Sequence, residues 1–461
     1  MKYRWSSLAV TVLIVGLLTG FTSVGVMADK YEDGILKVAM GAEPRGILPN
    51  ATSGTWESAI GNLIFDGMVA GSRDKVGENK PGLAKSWDID REDLIFTFHL
   101  REGVKFHDGE ELTAEDVLFS FKCWMHPDYP GVRFSNFENI VGAQAYRDGE
   151  AEWPIEGIWA PDEYTVNIQL TQVQATFLSY AAGSGIMPKH VYEPYFEENG
   201  YDKLLGGTLS MGKAVGSGPF KFENWKTGES VKLVANEDYW GARVNEEEPW
   251  IPPVPEMKEV YFVIIPDTQA QFQALKAGDV DAVELTEDQY WQAKELKDVK
   301  AWKYPYLVYD YLCFNLDPEK TKLFQSEKVR RAISWAIDRK TLVDEVLQGL
   351  GTICNGPTSP LRWDYAEKAV ADHPGYNLDK TIELMEEAGW SIEKNENGNI
   401  KSGAVWKKDD MKMQFEIATN YPNPRRQDFA QLIQGQLYEA GFQTTIRILD
   451  ANAFYHDYLM G

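Results

Sequence analysis

Apolar and polar residues alternate most regularly between residues 94 and 100. Leu94, Phe96, Phe98 and Leu100 occupy every second position, which predicts a β-strand with one apolar face. Turn signals follow at residues 101–103 and 107–109. Thr113 then precedes a helical pattern and has Asp116 three residues later, the spacing of a capping box. The predicted buried face of that helix consists of Val117, Phe121 and Trp124.

Further along the chain, a strand pattern, a helical pattern and a second strand pattern follow one another. Residues 260–265 form an almost continuous apolar run, residues 268–277 have helical spacing with Gly278 as the stop, and residues 281–283 begin another strand. Strand, helix and strand in succession are typical of an α/β fold. A helix is also predicted over residues 57–69.

The C-terminal third has a second α/β pattern. One long helix is predicted from Ser326, as N-cap, to Gly349. Its expected buried stripe consists of Val329, Ile333, Ala336, Ile337, Val343 and Val346. The remaining predicted elements are a helix at 379–389, a turn at 395–398, a strand at 413–419, a helix at 428–440 and a strand at 444–449.

Four segments resemble a known family. The first reads LREGVKF from Leu100 and is followed by Asp108-Gly109. The others are residues 215–241, residues 326–351 with Phe314-Asn315-Leu316 before them, and the early segment 52–55. Their order and spacing resemble the family-5 extracytoplasmic solute-binding proteins, which are the peptide, nickel and oligopeptide receptors of ABC importers.

The resemblance implies an α/β fold in which two lobes close like a clamp, with an additional accessory subdomain. We expect lobe I at 35–80 and 210–300, the accessory subdomain at 81–209, and lobe II from 305, with a hinge strand near 304–309. The chain stops at Gly461, within a helix begun at Ala453, whereas family members continue further. The expectation is therefore a C-terminally truncated receptor, because a naturally short chain would leave an unpaired sheet edge.

The first 28 residues have the pattern of a cleavable signal peptide. Lys2 and Arg4 precede an apolar run at 8–18, and Val26-Met27-Ala28 offers small side chains to a signal peptidase. An N-terminal anchor helix is the alternative interpretation. The first cysteine is Cys123, so no lipid-attachment site follows the apolar run. The expected location is the periplasm or another extracytoplasmic space, without a lipid anchor.

The net charge excludes some classes of binding partner, and the cysteine content bears on disulfide formation. A net charge of −24 argues against nucleic acid and anionic membranes as partners. It agrees with a well-solvated surface, or with an acid-rich cleft for cationic ligands. Cys123, Cys313 and Cys354 do not form a disulfide framework. Cys313 and Cys354 could pair, or both could be free thiols.

The chain contains no motif of an enzyme. HExxH, GxSxG and Walker-type sequences are absent, and the six histidines lack metal-ligand spacing. His107 is interpreted as a turn residue, and residues 216–219 as a tight turn before a strand. We therefore expect no catalytic residue, no metal ligand and no cofactor.

The expected function is to bind peptides between the two lobes and deliver them to the permease subunits of an ABC transporter. A peptide is held mainly through backbone-type hydrogen bonds. The candidate ligand-binding residues are Ser53, Gly54, Thr55, Trp56, Asn420 and Tyr421. In the dipeptide-binding branch an arginine stands two residues before this tyrosine, where this chain has Thr419. The acidic partner of a peptide amino group is expected beyond Gly461.

Other solutes remain open. The chain has 15 Trp and 22 Tyr, and aromatic rings stack on sugars, so an oligosaccharide is an alternative ligand. The aromatic residues least tied to the family segments are Trp56, Trp159, Trp302 and Trp406. A nickel chelate, haem or another small solute is also open, as is an extracytoplasmic hydrolase. The receptor is expected to be a monomer.

Overall fold

The structure is a computed structural model, and the chain divides into two compact units. The N-terminal unit is Met1–Tyr306 and the C-terminal unit is Leu307–Gly461. The residues that the structure describes are 23–25 (backbone only), 34–51, 54–72, 78–129, 133–201, 214–303, 309–356, 365–366, 368, 375–421, 423–450 and 454. Residues 304–308 of the hinge predicted near 304–309, and most of the proposed signal peptide, lie outside them.

A six-stranded sheet forms the centre of the N-terminal unit, in the order β1-β12-β2-β11-β10-β9. Its strands are β1 (Ser23–Gly25), β2 (Ile35–Met40), β9 (Phe220–Lys226), β10 (Ser230–Ala235), β11 (Glu259–Ile264) and β12 (Ala282–Glu284). β2 runs parallel to β11 and β12, and the other pairs are antiparallel. The sheet thus combines segments that are far apart in the chain.

A second sheet of the same unit has the order β5-β6-β8-β7, and a short hairpin joins β3 to β4. These strands are β3 (Val69–Gly71), β4 (Asn79–Pro81), β5 (Ala84–Asp90), β6 (Ile95–Leu100), β7 (Ile158–Asp162) and β8 (Thr165–Gln169). The alternating strand is confirmed as β6, in which Phe98 and Leu100 are buried. Leu94 lies just before it with φ of 56°.

The helices of the N-terminal unit agree in part with the prediction. They are α1 (Thr55–Ile64), α2 (Ala114–Met125), α3 (Ala143–Arg147), α4 (Phe177–Tyr180), α5 (Lys189–Asn199), α6 (Thr268–Ala277) and α7 (Glu287–Lys294). α2 has the predicted capping box of Thr113 and Asp116. α6 has the predicted bounds and ends at Gly278, whose φ is 77°. The strand, helix and strand order of β11, α6 and β12 is confirmed.

The helix predicted at 57–69 is wrong at both ends. α1 begins two residues earlier, and Phe65 has extended dihedral angles that end it after Ile64. The next residue, Asp66, accepts a hydrogen bond from Trp240 Nε1 at 2.7 Å. A contact with a residue distant in sequence holds this segment, so local helical spacing could not reveal where α1 ends.

One hydrophobic core extends through both sheets of the N-terminal unit. Phe98, Phe121 and Phe262 belong to it and are fully buried. Val117, Phe121 and Trp124 of α2 are buried as predicted. Because this core is continuous, both sheets belong to one packed unit rather than to two bodies joined by a free linker.

The C-terminal unit has a separate core and a mixed α/β composition. Its elements are α8 (Glu327–Trp335), α9 (Arg339–Thr341), a π-helical turn (Leu342–Val346), α10 (Leu378–Glu387), β13 (Lys407–Lys408), β14 (Met411–Lys412), β15 (Gln414–Tyr421), α11 (Pro424–Glu439) and β16 (Gln443–Asp450). β15 and β16 are parallel neighbours, with Tyr421 opposite Asp450 at their carboxyl ends. The predicted strand, helix and strand are therefore confirmed.

The single helix predicted from Ser326 to Gly349 is wrong. It is interrupted after Trp335, and Asp338 starts a new helical segment by accepting hydrogen bonds from the N–H groups of Lys340 and Thr341. Ser326 is the N-cap residue but makes no side-chain capping bond. Val343 and Val346 are only half-buried, and Leu342 is the buried residue of the π-helical turn.

Two further features concern the surface and the thiols. In the part of the chain that the structure describes, every helix is too short or too polar to span a lipid bilayer. Cys123 is a buried free thiol, Cys313 is an exposed free thiol, and Cys354 is half-buried.

Candidate functional site

The first group of predicted ligand-binding residues surrounds the start of α1. Gly54 is the N-cap residue and Thr55 the first helical residue, and no side chain caps the helix. A Cβ atom at position 54 would lie 1.8 Å from Oε2 of Glu57. The carboxylate of Glu57 therefore lies against Gly54, and a larger residue at position 54 would displace this flexible side chain rather than the backbone. Ser53 lies outside the described residues.

Glu57 and Arg45 are polar residues of this region that the sequence analysis missed. Oε1 of Glu57 accepts hydrogen bonds from the backbone N–H of Arg45 at 3.2 Å and from its Nε at 3.3 Å. The side chain of Glu57 is only 10% exposed, whereas that of Arg45 is 67% exposed. An acid three residues after an N-cap is a recognisable signal, and it could have identified Glu57.

The predicted aromatic residues differ in exposure. Trp56 is half-buried and packs against the core of the N-terminal unit. Trp159 is 36% exposed. Trp406 is fully buried in the core of the C-terminal unit and donates its indole N–H to the carbonyl of Ala440 at 2.8 Å. The interpretation of Trp406 as a residue free to stack on a sugar is therefore wrong.

A polar cavity of about 130 Å³ lies beside α1, between residues 47–50, one face of the helix and residues 179–185. Glu57, Asn62 and Arg133 contribute charged or amide groups to its wall. Asn50 also lines it, with φ of 59°. The Nδ2 atom of Asn50 is buried and has no hydrogen-bond partner among the described residues.

The second group of predicted residues lies at the carboxyl end of β15, in the other compact unit. Asn420 is buried, and its Oδ1 accepts a hydrogen bond from Arg426 Nη1 at 3.0 Å. Tyr421, the next residue, is 52% exposed. Tyr421 thus has a surface that a solute can contact, whereas the carboxamide oxygen of Asn420 already has a partner within the protein.

Two arginines and one aspartate adjoin these residues and were also missed. Nε of Arg426 donates to Oδ1 of Asp310 at 3.0 Å. Nη2 of Arg425 lies 3.5 Å from Oδ2 of the same carboxylate. Both arginines belong to the first turn of α11. The run Asn423-Pro424-Arg425-Arg426 directly after a strand was the signal that could have placed them there.

The motif beginning at Leu100 has a structural role. Arg101 donates from Nε to the carbonyl of Gly82 at 2.7 Å and from Nη2 to Glu248 at 2.6 Å. Its guanidinium also lies 5.4 Å from the centre of the Trp240 ring. Arg101 therefore connects the second sheet to residues more than a hundred positions later in the chain.

His107 connects the motif to residues 216–218. The N–H of Gly216 donates to Nδ1 of His107 at 3.2 Å, and Nε2 lies 3.0 Å from the carbonyl oxygen of Gly218. Nδ1 is thus an acceptor and Nε2–H a donor, which is the neutral ring. Burial lowers the pKa of His107 from 6.5 to about 4. His107 does lie in a turn, but its side chain fastens two distant segments together.

Asp66 is a buried carboxylate that contacts the turn at 216–219. Trp240 Nε1 donates to it at 2.7 Å, and the hydroxyls of Ser217 and Tyr239 lie at 3.3 Å. Burial raises its pKa from 3.8 to about 6, although the three hydrogen bonds oppose the rise. Asp66 therefore joins the end of α1 to both the 216–219 turn and the Tyr239-Trp240 pair.

With this geometry in place, comparison with known proteins decides the family. The sequence profile of the bacterial extracellular solute-binding proteins, family 5 Middle, matches residues 78–460. The chain belongs to this family. The matched region contains the motif from Leu100, the turn at 216–219, and the segment around Tyr421. The family is one of binding receptors rather than enzymes.

Curated relatives agree with this assignment. The oligopeptide-binding protein AppA of Bacillus subtilis is 32% identical over 365 residues, which is 78% of this chain and 59% of that protein. Heme-binding protein A of Haemophilus influenzae is 28% identical over 418 residues, 88% of this chain and 68% of that protein. The chain thus spans less than two thirds of the length of the first of these relatives.

A solved structure confirms the fold class. The structure of Bacillus subtilis AppA in complex with a nonapeptide superposes with a TM-score of 0.66 at 29% identity, over 92% of this chain and 76% of that one. The predicted α/β fold of the large solute-binding receptors is therefore confirmed. The division into lobe I, accessory subdomain and lobe II at the stated boundaries stays a prediction.

Proposed function

We propose that this protein is an extracytoplasmic receptor that captures peptides and delivers them to the permease subunits of an ABC transporter. The observation that supports this most directly is the family match over residues 78–460. The 32% identity to an oligopeptide-binding protein favours peptides over the other solutes of the family. In this proposal the protein is an exported monomer without a lipid anchor. Its first 28 residues, which include the edge strand β1, are a signal peptide that is removed on export.

The geometry of the C-terminal unit suits this function. Ligands of α/β proteins bind beyond the carboxyl ends of parallel strands. Tyr421 and Asp450 occupy those ends of β15 and β16, and half of the Tyr421 surface is accessible. An exposed phenol with polar neighbours can pack on a peptide backbone and donate to it, with little dependence on the peptide sequence.

The proposed ligand-binding residues remain Ser53, Gly54, Thr55, Trp56, Asn420 and Tyr421, with roles of different kinds. Tyr421 and the half-buried Thr55 and Trp56 are proposed to contact the peptide. Gly54 and Asn420 are proposed to act mainly by shaping the surface, because Glu57 lies against Gly54 and Arg426 holds the Asn420 oxygen.

Native mass spectrometry of the full-length mature protein tests the proposal. The protein is mixed with a library of random pentapeptides, freed of unbound peptide by gel filtration, and analysed for retained mass. We expect one peptide to be retained per protein, with broad sequence tolerance. Retention of haem, a nickel chelate or an oligosaccharide, with no peptide retained, would replace this proposal with the corresponding solute.

A pair of tyrosine variants tests the site. Tyr421→Ala should weaken peptide retention about tenfold, the effect of losing one aromatic contact and its hydrogen bond. Tyr438→Ala is the matched control, because Tyr438 is similarly exposed, at 54% against 52%, but lies near the end of α11. Equal retention by both variants would remove Tyr421 from the site.

A further inference from the structure

We infer that Arg425, in the first turn of the helix that follows β15 and Tyr421, binds a carboxylate of the captured solute and so sets a preference for anionic groups. This inference rests on the proposed function, because it assigns the chemistry of one end of the ligand. The carboxylate can be the C-terminus of a peptide or an acidic side chain within it.

The guanidinium of Arg425 has N–H donors that the described residues do not use. A guanidinium carries five N–H groups arranged for a planar, bidentate acceptor. Within the described residues, its one ionic contact is the 3.5 Å approach of Nη2 to Asp310, which is long for a hydrogen bond. Its Nε is buried and has no hydrogen-bond partner in that part of the chain. The side chain as a whole is nevertheless 38% exposed, so a ligand can reach it.

Arg426, the neighbouring arginine, is engaged within the protein. It donates to Asp310 at 3.0 Å and to the Asn420 oxygen at 3.0 Å. The carboxylate of Asp310 thus lies 3.0 Å from Nε of Arg426 but 3.5 Å from Nη2 of Arg425. Since one carboxylate is shared between two cations, the charge of Arg425 is only partly balanced by Asp310.

Helix stability does not explain a cation at this position. Arg425 belongs to the first turn of α11, where the helix dipole disfavours positive charge. Asn423 already caps the helix by accepting from the N–H of Arg426. A second acidic residue, Asp450, is present at the same edge as the register partner of Tyr421. The edge therefore offers both signs of charge and suits a zwitterionic peptide end more than a uniformly charged ligand.

Three sets of pentapeptides test the inference on the full-length mature protein. The first has a free C-terminus and no acidic side chain, the second has the same sequences with a C-terminal amide, and the third is amidated but contains one Glu. Affinities are measured by titration calorimetry for wild type, Arg425→Gln, Arg425→Lys and the control Arg331→Gln. Arg331 is an exposed arginine of α8 in an i,i+4 pair with Glu327, so the control removes the same charge elsewhere in the C-terminal unit.

We expect the wild type to bind at least one carboxylate-bearing set about tenfold or more tightly than the amidated neutral set, the usual effect of a hydrogen bond to a charged group. Arg425→Gln should abolish that preference, and Arg425→Lys should retain part of it. Arg331→Gln should leave it unchanged. Whichever carboxylate set is preferred identifies the source of the anion.

Two kinds of result would contradict the inference, and they can be told apart. Equal binding of all three sets by the wild type, or an unchanged preference in Arg425→Gln, overturns the role of Arg425 but leaves peptide binding standing. Failure of every set to bind the wild type overturns the proposed function, and this inference with it. The wild-type comparison of the three sets needs no variant, so it decides the matter even if Arg425→Gln does not fold.

Discussion

The side chain of His107 donates from Nε2–H to the carbonyl oxygen of Gly218 at 3.0 Å. The two residues are 111 positions apart in the chain, and each belongs to a different family segment. Together with the bond from the N–H of Gly216 to His107 Nδ1, the bond to Gly218 fastens the turn at 107–109 to the turn at 216–219 in this chain. The predictions that follow concern the free energy of unfolding of the protein and do not depend on ligand binding.

Protonation of His107 should destabilise the protein in acid. Its pKa is lowered from 6.5 to about 4, so the unfolded chain binds more protons between these values. The stabilising contribution is therefore complete above pH 6.5 and is lost as pH falls through about 4. The difference corresponds to about 3 kcal/mol. Urea unfolding at pH 7, 6, 5 and 4 should show this decline in the difference between the unfolding free energies of wild type and His107→Gln, because every other titrating group is common to both proteins.

Protonation of Asp66 should have the opposite effect to protonation of His107 on the free energy of unfolding. Its pKa is raised from 3.8 to about 6, so the folded protein binds the additional proton. Its contribution is complete below pH 3.8 and is lost as pH rises through about 6. Relative to wild type, Asp66→Asn should therefore gain about 3 kcal/mol in unfolding free energy between pH 4 and pH 8. A constant difference between variant and wild type would show that Asp66 is ionised at both pH values.

Gly216→Ala should destabilise the N-terminal unit. A Cβ atom there would lie 2.1 Å from the carbonyl oxygen of Ile64, the last residue of α1, and a backbone oxygen cannot move aside cheaply. We expect a loss of about 2 kcal/mol or more in unfolding free energy. Gly71→Ala is the control, because no heavy atom of the described residues lies within 4 Å of the corresponding Cβ position. Similar melting temperatures for both variants would contradict the close approach.

A double-mutant cycle should detect strong coupling between Arg101 and Glu248. Their side chains are 11% and 20% exposed and lie 2.6 Å apart. The cycle of Arg101→Gln and Glu248→Gln should give a coupling of about 1–3 kcal/mol. The exposed pair of Arg331 and Glu327, at 3.7 Å, should give about 0.5 kcal/mol or less. Equal couplings in the two cycles would mean that burial does not strengthen the Arg101 pair.

The sequence by itself was sufficient for elements whose causes are local. The capping box of Thr113 and Asp116 and the stop of α6 at Gly278 depend on hydrogen bonds and dihedral angles within a few residues. The β15, α11 and β16 succession follows from hydrophobic period alone. The four family segments were recognised from their amino-acid sequences, and they led to the fold class that the comparison with AppA confirms.

Only the tertiary structure decided the features that depend on distant residues. α1 ends at Ile64, two residues before Asp66 accepts from Trp240. Trp406 is buried in the core of the C-terminal unit, where Ala440 accepts its N–H. The helix after Ser326 is interrupted where Gln436 of α11 accepts the N–H of Asp338 through its Oε1 atom. Helical spacing, aromatic content and turn signals are local quantities. The partner that satisfies a buried polar group is chosen by the folded chain as a whole, because each such group must find its hydrogen bond wherever the fold places one.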